Sequence, residues 1–418
     1  VSFYGYLITE PEIKLKNSKL EISMLQDGYI DELGIGNILV QINKYPPIEI
    51  GQICKFSGSI TEPPILDDFD YRTYLKNQKI YSILEYPVAE CLNPSEIRIG
   101  NPIALNLIDW KNSIISKIDK NLPEPQSSLL AGIIFGQKRT FSEKFDDAVR
   151  RSGVSHIVAA SGYNVTILIL VVNKLFSFIN KRFRIIISLV FIWVFCFISG
   201  LSASIIRATI MSSIALIALL LGKNNSIHIS IPFAAAVFVF VNPVIIFDVG
   251  FQLSILATLG LVYLAPSLEN IFKEKNFIQK AFVKEYLLTT LSCTLATLPV
   301  SMSTFGTFSI WSVMANILIL PAVESTMLFG VLGIVLGTVI QDISRFFYLL
   351  TYIQLKYFEL VVYLIQSFGF GIFEISGIMK NIIVILTSVC LFFLVLIYYP
   401  INNDGYNYYL KDIQKALD

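Results

Sequence analysis

Ser152-Gly-Val-Ser-His156-Ile-Val-Ala-Ala-Ser161-Gly162-Tyr-Asn164-Val-Thr166 divides the chain. Upstream of it the sequence is mixed and strand-like; downstream nearly every stretch is apolar. The stretch itself places a histidine, an asparagine, serines and two glycines at the mouth of the apolar run 165–178. Polar groups at the edge of a lipid span are costly unless they face protein or water. The run is therefore either a plain helix start or the lining of something, and both readings stay open on these residues.

Working outward, the bulk composition bears on the class. The chain is 54% hydrophobic and only 15% charged, with a mean hydropathy of +0.65. Soluble domains carry about a quarter charged residues, so this balance points to apolar spans of about 20 residues, that is, a polytopic membrane protein. The net charge of +1 names no polyanionic partner. Of five cysteines, Cys196, Cys293 and Cys390 lie in apolar runs and read as packing residues. Cys54 and Cys91 lie in the polar part, where they form either a disulfide or two reduced thiols. No clustered Cys/His pattern is present, so no metal and no cofactor is expected.

Residues 1–100 read as all-β. The run 19–24 alternates, and further strand candidates are 3–9, 37–43, 53–61 and 80–85, separated by turn residues such as Asp27-Gly28 and Pro63-Pro64. Short strands at this density suggest a small barrel such as an OB-fold. Such barrels often hold single-stranded nucleic acid, yet this region counts 14 acidic and 9 basic residues, a net −5. A local basic face of Arg72, Lys76 and Lys79 beside Tyr71, Tyr74 and Tyr81 is a candidate DNA contact, set against a plain solvated helix face.

In residues 101–155 basic residues outnumber acidic ones, and an amphipathic, interfacial linker is expected. Thr140 and Glu143 form a candidate capping box. Phe141, Phe145, Ala148 and Val149 then share one face, a pattern that suits a helix on the membrane surface. The run 129–135 is too short to span.

Candidate spans of the 156–400 membrane domain are 157–178, 185–201, 204–221, 229–246, 249–266, 285–302, 311–340, 346–368 and 381–399, followed by the polar tail 401–418. The stretch 311–340 is long for one straight span and holds Pro321 and Glu324, so a broken helix or re-entrant pair is expected there. Lys181, Arg182 and Arg184 form one basic loop; Lys273, Lys275, Lys280 and Lys284 form another. Four spans separate these loops, which puts both on one face, the cytoplasmic one by the positive-inside rule. The β-domain is then extracytoplasmic. The tail is cytoplasmic if 311–340 crosses once and external if it crosses twice.

Several polar residues fall inside the spans. Arg207 follows Ser202-Ala-Ser204 at the start of one, Asp248 and Gln252 open another, and Glu324 follows Pro321. Arg207 reads as a snorkelling cation and Asp248 as a helix cap when taken singly. With His156, Ser161, Gly162 and Asn164 they are instead candidates for one transport pathway. Only two histidines occur, and no phosphate-binding loop, nucleophile-elbow or zinc-protease motif is present, so no enzymatic activity is expected.

The order of these blocks resembles the ComEC/Rec2 family of competence membrane proteins. The resemblance rests on Phe69-Asp-Tyr-Arg-x-Tyr-Leu75, Gly153-Val-Ser-His156-Ile-x-Ala-x-Ser161-Gly162 and Leu201-Ser-x-Ser-x-x-Arg207. It continues through Asn242-Pro243, Asp248-Val-Gly-Phe-Gln252-Leu-Ser254, Ala296-Thr-Leu-Pro299, Phe305-Gly306 and Ala315-Asn316. It implies an extracytoplasmic OB-like domain and a channel carrying single-stranded DNA across the cytoplasmic membrane during natural transformation. It also implies partners: a DNA receptor, a separate nuclease, a cytoplasmic DNA motor, or a second copy in a homo-oligomer. Where members usually read Ser-Gly-Leu-His-Val-Gly, this chain reads Ser161-Gly-Tyr-Asn-Val-Thr166; Asn164 cannot titrate as a histidine does. The metallo-β-lactamase-like domain that many members carry at the C-terminus, and the family's upstream helices, are not expected within residues 1–418. Two further readings stay open: a transporter or exporter of another solute or polymer on the same scaffold, and a membrane scaffold whose β-domain binds a partner.

Overall fold

The computed structural model describes residues 1–398 except 9–10, 14–16, 27–28, 31–36, 44–47, 65–71, 73–74, 77–79, 93–97, 138, 140, 159–161, 202, 223–226, 273–280, 338–339, 369 and 375–376. The chain divides into two compact units, Val1–Lys117 with Gln137–Ser142, and Ile118–Gly136 with the chain from Glu143 onward.

The first unit is built on a mainly antiparallel sheet of β1 (Ser2–Leu7), β2 (Glu12–Ile13), β3 (Asn17–Gln26), β4 (Tyr29–Ile30), β5 (Asn37–Asn43), β6 (Ile53–Ser57), β7 (Ile60–Thr61), β8 (Ile80–Glu85) and β9 (Val88–Cys91). The main strand order is β7-β8-β5-β3-β1-β6-β9. Strands β8 and β9 are two halves of one bent strand, turned at Tyr86, whose φ of 47° lies in the left-handed region. Taken together they close the order β1-β3-β5-β8/β9-β6-β1, with β5 and β8 parallel and the other pairs antiparallel. This is the connectivity of an OB-like five-stranded barrel.

The alternation in the sequence explains the core. Leu20 faces Val40 and Ile22 faces Ile38 across the β3–β5 ladder, and these join Leu7, Phe56 and Leu84 inside. Cys54 and Cys91 are cross-strand partners on the seam between β6 and β9 and are joined as a disulfide with Cα atoms 3.9 Å apart. The expected single strand 53–61 is interrupted at Gly58, where a side chain would press on Leu84 at 3.1 Å. Arg98 donates to the Ile50 carbonyl at 2.9 Å and forks onto Asp109 at 2.8 and 3.0 Å. Asp109 belongs to α1 (Pro102–Asn121), so this clasp fixes the start of that helix to the barrel.

The second unit is helical. It contains α2 (Gln126–Phe135), α3 (Glu143–Arg151), α4 (Ser155–Val158), α5 (Gly162–Leu175), α6 (Lys181–Ile198), α7 (Ala203–Leu220) and α8 (Ile227–Val241). It continues through α9 (Val249–Leu259), a π turn, α10 (Ala265–Phe272), α11 (Ala281–Phe305), α12 (Trp311–Leu336), α13 (Gln341–Ser367) and α14 (Gly377–Tyr398). Among the described residues four helices are long and apolar enough to cross a membrane: Val249–Phe272, Tyr286–Phe305, Trp311–Leu336 and Asp342–Ser367. Shorter apolar helices occupy Gly162–Leu175, Ser204–Leu220, Ser230–Val241 and Asn381–Val395. On α13, Tyr348, Thr351, Leu355, Phe358, Val362 and Ile365 are buried while Phe346, Leu349, Ile353, Leu360 and Leu364 are exposed. One stripe packs on protein, and the opposite apolar stripe is suited to lipid.

Two expectations are corrected here. The stretch at Pro321 is neither broken nor re-entrant: α12 runs unbroken through it, about 39 Å at about 1.5 Å per residue. Proline removes the N–H that would serve the Ile317 carbonyl. The next helix supports this turn, Tyr357 donating its hydroxyl to the Leu318 carbonyl at 3.3 Å.

The amphipathic helix is also not a surface helix with its apolar side in lipid. Phe145, Ala148 and Val149 are buried, and Phe145 meets Tyr363 of α13 edge-on at 6.0 Å. Polar contacts continue the seam: Gln366 donates to Asp147 at 3.0 Å and Ser152 to the Val362 carbonyl at 3.3 Å. The same periodicity serves a lipid face and a protein face, and here α13 covers it.

A candidate conduit around the signature helix

Helix α5 begins at Gly162, inside the polar stretch 152–166. Its 14 residues reach about 21 Å, short of the ~30 Å hydrocarbon core. Three consecutive residues at its start each touch a different helix. A Cβ placed on Gly162 would stand 3.1 Å from the Ala208 Cβ, so the glycine lets α7 approach closely. Tyr163 donates its hydroxyl to Glu324 Oε1 on α12. Asn164, 2% exposed, donates Nδ2 to the Ile133 carbonyl of α2 at 2.8 Å. In place of an ionisable residue, Asn164 is a helix-to-helix tether.

Glu324 is the second centre. The same oxygen accepts the Tyr286 hydroxyl of α11 at 2.9 Å. One carboxylate thus joins α5, α11 and α12. Neutral hydroxyl donors satisfy it, and no ion pair to it is formed among the described residues. An acidic group at span depth needs such partners or water.

Arg207 is the third. It is 2% exposed, so it does not snorkel. Nη2 donates to the Gly250 carbonyl at 2.8 Å, and the guanidinium lies 5.7 Å from the Phe251 ring centre, a cation–π distance. Nε and Nη1 have no hydrogen-bond partner among the described residues. The carbonyl is delivered by a doubly capped corner. Asn242 caps the short 3₁₀ turn Pro243–Phe247 by accepting from Val244 N at 3.2 Å. Asp248 then caps α9 by accepting from Phe251 N at 2.7 Å, and Gln252 donates back to the Ile246 carbonyl at 2.9 Å. Asp248 and Gln252 therefore shape the corner, and Asp248 also acts on Arg207 through its charge. Neither Asp248 nor Glu324 is the hydrogen-bonding partner of Arg207; a backbone carbonyl is.

His156 lies in α4, with accessible surface of its own. Desolvation by the surrounding protein lowers its pKa below the ordinary histidine value, and a backbone hydrogen bond at Gly153 acts the other way. Ser161 lies outside the described residues. In the barrel, Arg72 is exposed but ion-paired to Glu62 at 2.7 Å; Lys76 is exposed, and Lys79 lies outside the described residues. Among the described residues no group of three or more His, Cys, Asp or Glu is placed to hold a metal ion.

Sequence reasoning passed over Tyr286, Phe251 and the Gly250 carbonyl, and it quoted Tyr163 without giving it a role. It also missed a buried tie between α2 and α13, where Gln126 donates to Glu359, itself paired with Lys356 at 2.8 Å.

Residues 133–400 match the family described as Competence protein. The chain belongs to the competence protein family. The competence family match takes in the signature helix and every helix that carries the three polar centres. A curated relative is ComE operon protein 3 of Bacillus subtilis (strain 168), 26% identical over 307 residues, which is 72% of this chain and 38% of that protein. The chain thus spans well under half the length of that relative. No solved structure matches it.

Proposed function

We propose that this chain carries single-stranded DNA across the cytoplasmic membrane in natural transformation. The observation that carries the reading is the competence family match over residues 133–400. The buried polar centres in that region give it a physical basis, because a dry bundle would have no use for an arginine with idle donors. In this reading Gly162, Arg207 and Glu324 mark the conduit, with His156 at its mouth. Asn164, Asp248 and Gln252 hold its walls. By the positive-inside rule, residues 181–184 and 273–284 in this reading face the cytoplasm and the barrel lies outside.

The reading extends to partners and chemistry. A DNA receptor, a separate nuclease and a cytoplasmic motor would work alongside the chain, singly or as a homo-oligomer. In this reading the chain itself does not cut DNA: purified protein is expected to leave single- and double-stranded DNA intact with Mg²⁺, Mn²⁺ or Zn²⁺, and metal-dependent degradation would contradict this. The direct test is a deletion strain scored for internalised labelled DNA and for transformation frequency. Loss of both supports the reading; normal internalisation in the deletion strain overturns it in favour of another cargo.

A further inference from the structure

The three polar centres differ in how completely their hydrogen bonds are used. Asn164 spends an N–H on Ile133 and the Glu324 oxygen takes two hydroxyls. Arg207 alone holds a charge 2% exposed with two of its three nitrogens idle. A buried guanidinium normally fills its donors, since each unmade bond in a buried site carries a desolvation cost.

Arginine offers two parallel-donor edges, one formed by Nε with Nη2 and one by Nη1 with Nη2. Nη2 carries two hydrogens, and Gly250 takes one. Whichever it takes, one complete edge remains. We infer that Arg207 is a phosphate fork: it binds one phosphodiester group of the translocating strand through that remaining edge. The Gly250 carbonyl and the Phe251 ring hold the guanidinium in place meanwhile. This rests on the proposed DNA function and assigns its substrate contact.

The surroundings suit a group that must bind and then let go. Gly250 is exposed, so an exposed residue lies one hydrogen bond from the buried guanidinium. Phe251 is buried under it. The Asp248 carboxylate stands near enough to offset part of the Arg207 charge, while its own oxygen is engaged by Phe251 N. Passage requires favourable but weak sites, and a cation that feels the charge of a neighbouring carboxylate is one. The fork reads no base, so it is indifferent to sequence.

The test uses the purified full chain in nanodiscs. It is titrated with a fluorescent single-stranded oligonucleotide linked by phosphodiesters, with the same bases linked by neutral methylphosphonates, and with inorganic phosphate. The wild type is expected to prefer the phosphodiester strand. Arg207→Lys, which keeps the charge and loses the fork, is expected to weaken that binding about tenfold, or about 1.4 kcal/mol, and to leave methylphosphonate binding unchanged. Asp248→Asn keeps an N-cap and is expected to tighten phosphodiester binding severalfold. Equal binding of both strands by the wild type, or unchanged phosphodiester binding in Arg207→Lys, overturns the fork and leaves the DNA reading standing. Arg207-dependent binding of inorganic phosphate with no binding of either strand overturns the phosphodiester assignment together with the DNA reading.

Discussion

Glu324 shows how a single residue can join three helices. Its Oε1 accepts hydroxyls from Tyr163 and Tyr286, so an amide oxygen could take over and a hydrocarbon could not. Glu324→Gln is expected to unfold near the wild-type temperature in detergent. Glu324→Leu removes the acceptor both phenols use and is expected to cost about 1–3 kcal/mol. Equal melting of the two variants would contradict the clamp. Asn164 makes a similar case: Asn164→Ala loses the donor to Ile133 and is expected to impair uptake, whereas Asn164→His retains a ring N–H and is expected to be tolerated. Uptake by Asn164→Ala at the wild-type level would show that the tether is dispensable. At this scale the sequence was partly legible. Arg207, Glu324 and Asn164 stand out because polar residues are rare in apolar runs. Their partners do not, because a backbone carbonyl such as that of Gly250 has no side-chain signature, and Tyr286 is one aromatic among many.

At the scale of elements, the strands were legible and two helices were not. Alternation located β3, where Leu20 and Ile22 are buried on one face. The sequence suits α3 to the membrane surface since a period of 3.6 reports only that one side is apolar, and it suits 311–340 to a broken helix or a re-entrant pair because the support for the proline turn comes from Tyr357 on the next helix. The packed reading of α3 has a consequence. Phe145 is fully buried against α13, so Phe145→Ala is expected to cost about 3–5 kcal/mol, seen as a lowered unfolding midpoint of the detergent-solubilised chain. A helix lying on lipid would lose membrane association and little of its fold. The barrel seam has its own test. Cys54 and Cys91 bridge β6 and β9, so thiol counting on the denatured chain is expected to gain two thiols on reduction. An unchanged count would show that the bridge does not form.

For the whole molecule, composition alone gave a membrane protein, and the order of motif blocks gave its family; neither places the polar centres beside one another. The structure adds one close approach, Gly162 of α5 against Ala208 of α7, residues that stand next in sequence to Tyr163 and Arg207. The orientation drawn from the basic loops is open to cysteine labelling of intact cells in a background lacking the exposed Cys390 thiol. An impermeant reagent is expected to reach Asn43→Cys in the barrel and not Asn180→Cys beside the first basic loop; the reverse pattern would invert the topology. The central claim is that a polyanion passes the buried cation, and the most direct measurement is internalisation of labelled DNA by cells carrying Arg207→Ala, with the amount of the protein in the membrane measured alongside. The expected result is loss of internalised DNA at unchanged protein level; normal internalisation at normal protein level would contradict the conduit.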